Sequence, residues 1–295
     1  MIHRSGYVAL VGPPNAGKST LLNQIVRSRL GIVSPKPQTT RRRTLGIVTG
    51  EGYQIVLLDT PGIIDPKYPL QEALMRTVGE VLTDADLAVV LLDAGAVRPE
   101  RLGISDRAGR FEGKRIAVLN KIDLLRRRDE MIPLLQSISE TGLFAEIVPI
   151  SALTGEGVDR LLSVIISFLD EGPAFYPEDQ LTEQPERFFV GEMIREQAFL
   201  RFQEEIPYSI EVELTEFKER PESKDYIEAV LFVESNSQKG IVIGRHGQAI
   251  RALGEAARAS IEQFLGRPVY LDLRVKVAPK WRRDEAALRR LGFRT

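Results

Sequence analysis

Five short apolar runs mark the first part of the chain, at residues 7–11, 54–58, 86–93, 115–119 and 146–150. Each has strand length and is apolar almost throughout, as strands buried on both faces are. Between them lie stretches of helical spacing: Leu21, Leu22, Ile25 and Val26 fall on one face of residues 19–30, and 157–169 reads as a closing helix. Strand alternating with helix predicts an α/β domain, a mostly parallel sheet with helices on both faces.

Past residue 170 the pattern changes. Residues 171–179 hold prolines, a glycine and acids, and read as a connector. A helical stretch follows from 186 to about 205, and 206–214 alternates apolar with polar, as a half-buried strand does. Residues 226–233 form its expected partner, then two helical stretches meet at a turn near 244–247, and 269–277 is a last strand. The order α-β-β-α-α-β predicts a separate α+β domain. The expected division is 1–175, a linker at 176–186, and 187–295 ending in a basic tail.

The candidate chemistry sits at the ends of the apolar runs. Gly12 to Ser19 reads G-x-x-x-x-G-K-S between a strand and a helix, the setting a phosphate loop requires. Glycines let the backbone approach an anion closely, and a helix N-terminus favours negative charge. Gly12, Asn15, Ala16, Gly17 and Thr20 are expected around the phosphates, with Lys18 reaching the β- and γ-phosphates and Ser19 ligating Mg²⁺. Asp59-Thr60-Pro61-Gly62 closes the run 54–58. There Asp59 is placed to hold Mg²⁺ through a water, and the Gly62 N–H to sense the γ-phosphate. The intervening segment 35–43, rich in proline and arginine, reads as a mobile loop that supplies a hydroxyl to the metal. Thr40 is the choice, Thr39 the alternative. Arg41, Arg42 and Arg43 could stabilise phosphate charge, touch a partner, or simply be solvated.

Asn120-Lys121-Ile122-Asp123 follows the run 115–119. A carboxylate only accepts hydrogen bonds. Asp123 can therefore take two from guanine, whereas adenine would leave it unpaired at a cost in affinity. Lys121 is expected to lay its stem over the base and Asn120 to tie loops together. Ser151-Ala152-Leu153 ends the run 146–150, where the Ala152 N–H could meet the guanine carbonyl oxygen. Together the motifs predict a switch that binds GTP and GDP with Mg²⁺ and hydrolyses GTP through Lys18, Thr40 and Gly62. They disfavour a metabolic phosphotransferase. Ile63 stands where Ras-like enzymes carry the glutamine that orients water, so slow intrinsic turnover is expected.

In the second domain Gly244-Arg245-His246-Gly247 lies between two helical stretches. A Gly-x-x-Gly turn lets a single-stranded nucleic-acid backbone lie against main-chain N–H groups. Ile241 and Ile243 are expected as an apolar floor, with Arg245, Lys280 and Arg282 as cations and His246 as an exposed loop residue. Trp281 could stack on a base or anchor the tail. In this element order the turn points to a KH domain, with docking of a protein partner as the alternative use.

Composition narrows the picture. Of 295 residues 43% are apolar and 27% charged, with no cysteine, which excludes disulfides, thiolate metal sites and a cysteine nucleophile. No apolar run reaches membrane-spanning length, and no signal peptide is visible, so a cytoplasmic setting is expected. The net charge of −1 conceals an asymmetry. Residues 181–238 carry 6 Lys/Arg against 14 Asp/Glu, while 239–295 carry 13 against 5. A cationic end on a near-neutral chain suggests a polyanion surface.

With these motifs, with Gln38 to Arg41, Pro207-Tyr208-Ser209 and Gln238 to Gly244, and with the tail Trp281 to Phe293, the chain resembles the Era family of bacterial GTPases over essentially its whole length. The resemblance implies a P-loop GTPase domain followed by a type II KH domain. It implies a role in 30S ribosomal subunit assembly, binding near the 3′ end of the small-subunit ribosomal RNA, favoured in the GTP form. It also implies a monomer with loose association at the cytoplasmic face of the inner membrane. Asn15 matches the position that ligates K⁺ in related switch GTPases.

Overall fold

The computed structural model describes residues 3–96 and 111–295. The chain forms two compact units. One comprises Met1–Gly31, Thr40–Asp65 and Leu74–Glu183; the other comprises Gln184–Thr295 together with Ile32–Thr39 and Pro66–Ala73.

The α/β part runs β1 (Arg4–Val11), α1 (Lys18–Val26), β2 (Thr44–Gly50), β3 (Tyr53–Asp59), α2 (Pro69–Asp84), β4 (Leu87–Asp93), β5 (Lys114–Asn120), α3 (Met131–Glu140), β6 (Glu146–Pro149) and α4 (Val158–Phe168). Its six strands lie in the order β2-β3-β1-β4-β5-β6. All neighbours are parallel except β2, which pairs antiparallel with β3. Ala9, Val56, Leu58, Val90 and Leu119 share one core with Val78 and Val81 of α2 and Ile138 of α3. Alternate residues point to the other face, where Leu57, Leu10 and Val118 are equally buried. The parallel register carries the C-terminal ends of β1, β3, β4, β5 and β6 to one edge, where open α/β sheets bind ligands.

Two stretches expected to be loose are packed. Residues 175–182, read as connector, lie along the sheet: Ile47 donates its N–H to Leu181 O at 2.8 Å, Thr182 Oγ1 donates to Leu45 O at 2.7 Å, and Gln54 Oε1 accepts from the N–H groups of Phe175 and Tyr176. The segment 35–43 has no regular structure, yet Thr39 and Arg41 are buried. In the second unit Lys36 Nζ caps the C-terminal carbonyls of a helix at Phe199 and Phe202, and Val33 N–H meets Glu196 Oε1 at 3.1 Å. The prolines there disfavour helix and strand but not packing.

The second unit continues α5 (Glu186–Arg201), α6 (Ile206–Ser209), β7 (Glu211–Lys218), β8 (Asp225–Val233), α7 (Asn236–Ile243), α8 (Gln248–Leu265), β9 (Val269–Val277) and α9 (Glu285–Arg290). The sheet order is β7-β8-β9, with β8 antiparallel to β7 and parallel to β9. Residues 206–209 are a helical turn rather than the start of the strand. Pro207 sits in its first turn, where a missing N–H costs nothing, and Ser209 N–H reaches Glu205 O at 3.1 Å.

Of the two roles open to Trp281, the structure gives the anchor. Its side chain is fully buried, its indole N–H donates to Ser209 O at 2.8 Å, and its ring stacks on Phe293 with centroids 6.3 Å apart. Asp284 caps the following helix by accepting from Ala286 N–H. Trp281→Ala should destabilise the protein by ~3–5 kcal/mol, as truncation of a buried Trp does. Trp281→Phe keeps most of the packing and should cost much less. Urea unfolding followed by far-UV circular dichroism checks both, and equal midpoints for wild type and alanine variant would refute the anchor.

Candidate nucleotide site and nucleic-acid groove

The turn from β1 into α1 places the phosphate loop at the ligand edge of the sheet. Gly17 precedes the helix at φ 96°, and a Cβ there would stand 2.2 Å from Asn120 Nδ2. Only glycine allows both the backbone and the approach. Ala16 is buried, Thr20 half-buried, and Asn15 exposed at the loop tip in the left-handed region, φ 63°. Lys18 Nζ is buried and donates to Gly12 O at 3.2 Å and Pro13 O at 3.0 Å.

Three oxygens of the predicted metal site converge. Ser19 Oγ donates to Asp59 Oδ2 at 2.6 Å and lies 2.9 Å from Thr40 Oγ1. Thr39 is elsewhere, its hydroxyl donating to Lys36 O, so the choice between the two threonines falls to Thr40. Asp59 Oδ1 is buried without a hydrogen-bond partner, an uncommon and costly state for a carboxylate oxygen. Burial pushes the Asp59 carboxyl up to about 6 although Lys18 and the Ser19 hydroxyl favour its charge. Burial likewise pulls the Lys18 ammonium down to about 8 against the pull of Asp59. A dication beside Asp59 and a triphosphate beside Lys18 would favour the charged form of each. Hard oxygen donors with one carboxylate fit Mg²⁺ held partly by phosphate and water.

The sensor loop is braced against the phosphate loop. Thr60 is buried and donates to Leu10 O at 2.8 Å, so its hydroxyl serves the fold rather than the ligand. Pro61 is buried beside it, and Ile63 N–H reaches Gly12 O at 3.0 Å. A Cβ on Gly62 would fall 2.7 Å from Pro14 backbone atoms, so this approach needs glycine. The Ile63 side chain packs against the hydrophobic core. Of the basic triplet, Arg41 is buried, which removes the solvated reading for that residue, while Arg43 is exposed and lies 3.4 Å from Asp84.

At the base-reading end, Asn120 Nδ2 donates to Ala16 O at 2.7 Å while its Oδ1 accepts from Ala152 N–H at 2.9 Å. The Ala152 N–H, expected to meet the guanine carbonyl, lies at the same end of the site and donates to Asn120. Ser151 is fully buried and accepts from Thr154 N–H, while Leu153 is 75% exposed at the rim. Asp123 is exposed on a 3-10 turn, Ile122–Leu124, open to a base. Lys121 is held by Asp93 at 2.5 Å. The sequence reading passed over Asp93, although its place at the end of the run 86–93 is the signal.

In the second unit the Gly-x-x-Gly loop joins α7 to α8. Gly244 and Gly247 have φ 74° and 76°, and His246 between them φ 51°. Arg245 and His246 are exposed, Ile241 is 49% exposed, and Ile243 is half-buried. A cleft of about 420 Å³ opens beside Gly247, between α8 and β9. Ile250, Gly254, Leu271 and Leu273 supply apolar lining, and Lys224, Arg251 and Arg258 supply cations. Of the predicted RNA contacts only Gly247 lines this cleft. Lys280 is exposed in the left-handed region, φ 53°. Arg282 pairs with Glu234 and does not line this cleft. The better signal was periodicity, since Gly247, Gly254 and the pair Arg251 and Arg258 recur at seven residues and share a helix face.

Comparison with known proteins converges on one family. Residues 7–121 match the family described as 50S ribosome-binding GTPase, and 205–282 match the KH domain. GTPase Era of Ruminiclostridium cellulolyticum is 39% identical over 297 residues, covering 100% of this chain and 99% of its own. The chain belongs to the Era family of GTPases. A chloroplastic GTPase ERA-like protein of Oryza sativa is 44% identical over 99% of this chain and 70% of its own. Two Era structures superpose with TM-score 0.95 at 38% identity, each covering 99% of this chain and 100% of its own. One is Aquifex aeolicus Era bound to GDP and aluminium tetrafluoride; the other is Era with MgGDPNP and nucleotides 1506–1542 of 16S ribosomal RNA. As an Era-type enzyme the chain hydrolyses GTP, and its P-loop and KH folds are those of the family.

Asn120→Ala removes both bonds that join the phosphate loop to residues 151–153. Guanine-nucleotide affinity should fall by roughly one to two orders of magnitude. Titration with a fluorescent GDP analogue measures it, and an unchanged dissociation constant would show that the loops hold without that amide.

Proposed function

We propose that this Era-family GTPase is a nucleotide-gated binder of single-stranded RNA, that its target is the 3′ region of small-subunit ribosomal RNA, and that it acts in assembly of the 30S subunit. The observation that carries the reading is the cleft beside Gly247, with an apolar floor for bases and Lys224, Arg251 and Arg258 for phosphates. That pairing of surfaces is what unstacked nucleotides need. The Era relative solved with a 16S ribosomal RNA fragment carries MgGDPNP, which supports binding in the triphosphate state. On this reading the protein works in the cytosol as a monomer.

Hydrolysis is then a matter of positioning and charge. Lys18 leaves the Gly12 and Pro13 carbonyls to pair with the β- and γ-phosphates. Ser19, Thr40 and Asp59 would hold Mg²⁺, which neutralises charge on the phosphate oxygens. The Gly62 N–H meets the γ-phosphate. Ile63 is half-buried against the core, and an alkyl group can neither orient nor deprotonate water, so the chain supplies no glutamine equivalent at that position. Turnover is slow until another cation reaches the phosphates. Asn15, exposed at the loop tip, would help hold K⁺ there. Turnover in KCl should exceed that in NaCl at equal ionic strength, and the excess should vanish in Asn15→Ala. Equal rates in both salts would reject the role of potassium.

The RNA reading is tested with a short single strand matching the small-subunit 3′ end, measured with a GTP analogue and with GDP. Wild type should bind tightly with the GTP analogue, weakly with GDP, and with steep salt dependence. Gly247→Asp, which sets a carboxylate at the mouth of the cleft, should abolish binding. No binding in either state, or binding unchanged in the variant, would overturn the RNA reading in favour of a protein-docking surface.

A further inference from the structure

The second unit carries an aromatic stack that neither the GTPase cycle nor the Gly-x-x-Gly loop explains. Tyr226 and Tyr270 face each other across the β8–β9 ladder, ring centroids 5.8 Å apart and planes 12° from parallel. The Arg220 guanidinium lies 5.4 Å from the Tyr226 centroid. Tyr226 is steadied further by donating its hydroxyl to Glu228 at 3.2 Å. Tyr270 is 58% exposed, a large exposure for an aromatic ring in a strand. β9 is the edge strand of its sheet, and among the described residues no further strand lies beyond Tyr270.

Tyr270 also lines the cleft between α8 and β9, at the strand edge, with its ring on the sheet face opposite Leu271 and Leu273. α8 and β9 run in opposite senses, since Gly254 lies against Leu273 while Val269 N–H bonds Glu262 Oε1 at 3.0 Å. Gly247 therefore marks one end of the cleft and Tyr270 the other. The cations Lys224 and Arg258 line the cleft with it.

We infer that Tyr270 is a base-stacking platform, which holds the nucleobase leaving the cleft at the end opposite the Gly-x-x-Gly loop. This rests on the RNA reading of the cleft. A Gly-x-x-Gly loop clamps about four nucleotides, so the strand reaches Tyr270 at one terminus of that tetranucleotide or at the next residue. There the ring, backed by Tyr226 and Arg220, offers a preformed π-face with its rotamer already fixed, so stacking costs little ordering. Because every base has a π-face, the platform adds affinity and register without demanding one base, whereas the tetranucleotide would carry the sequence preference.

The test uses the full chain with a GTP analogue and single-stranded RNAs of six nucleotides matching the small-subunit 3′ end, with 2-aminopurine placed at each position in turn. Wild type should quench one position outside or at the end of the clamped four. Tyr270→Ala should lose that quenching and bind roughly ten-fold more weakly, while Tyr270→Phe should keep both. An abasic residue at the quenched position should weaken wild type and leave Tyr270→Ala unchanged, as a double-mutant cycle requires of a direct contact. Circular dichroism verifies that the variants fold. If wild type binds RNA and loses it in Gly247→Asp, but Tyr270→Ala binds as wild type does, the platform falls and the cleft reading stands. If wild type binds no RNA, both fall together.

Discussion

The primary amide of Asn120 is the constraint on which the nucleotide site depends. A side-chain amide offers a donor and an acceptor on one rigid plane, and here the donor holds Ala16 O while the acceptor holds Ala152 N–H. Two loops from distant parts of the chain are thereby fixed to the end of β5. The Gly17 turn exists to admit this amide, since a Cβ there would overlap its nitrogen. Phosphate end and base end are thus set relative to each other by bonds within the protein, which is what preorganisation means energetically.

The other half of the site is held in tension rather than at rest. Asp59 and Lys18 are both buried, and each is driven toward its neutral form by loss of water. Burying charge is costly unless it is compensated. A nucleotide with its cation would favour the charged form of both groups, and ligand-bound protein should be markedly the more stable state by mass action.

Much of this was legible in the sequence because it is local. Gly12 to Ser19, Asp59 to Gly62 and Asn120 to Asp123 are contiguous strings at strand ends, and the parallel sheet assembles them without further information. Asp93 was harder, since its value lies in a contact with Lys121, 28 positions away, that only the β4–β5 pairing creates. The bond from the Ala152 N–H to Asn120 Oδ1 was not legible, because it joins residues 32 positions apart that only the sheet brings together. In the second unit the turn was readable from two glycines, but the cleft needs α8 and β9 together. The cations around the turn were therefore credited before those along α8. The pairing of Arg282 with Glu234 was not legible, because charge in a string says nothing about a partner 48 positions away. The tryptophan between two cations left base stacking and anchoring equally open, and burying a large ring around one hydrogen bond is the commoner use.

The strip at residues 175–182 carries a consequence for behaviour in concentrated solution. β2 ends the six-stranded order, and an outer strand displays unpaired N–H and C=O groups that invite a second molecule to pair. Ile47 N–H and Leu45 O are instead taken by Leu181 and Thr182. What composition suggests is a tether is a selvedge: it finishes the fabric of the sheet so that it cannot be extended. A domain excised before these residues would carry an adhesive border that the intact chain hems.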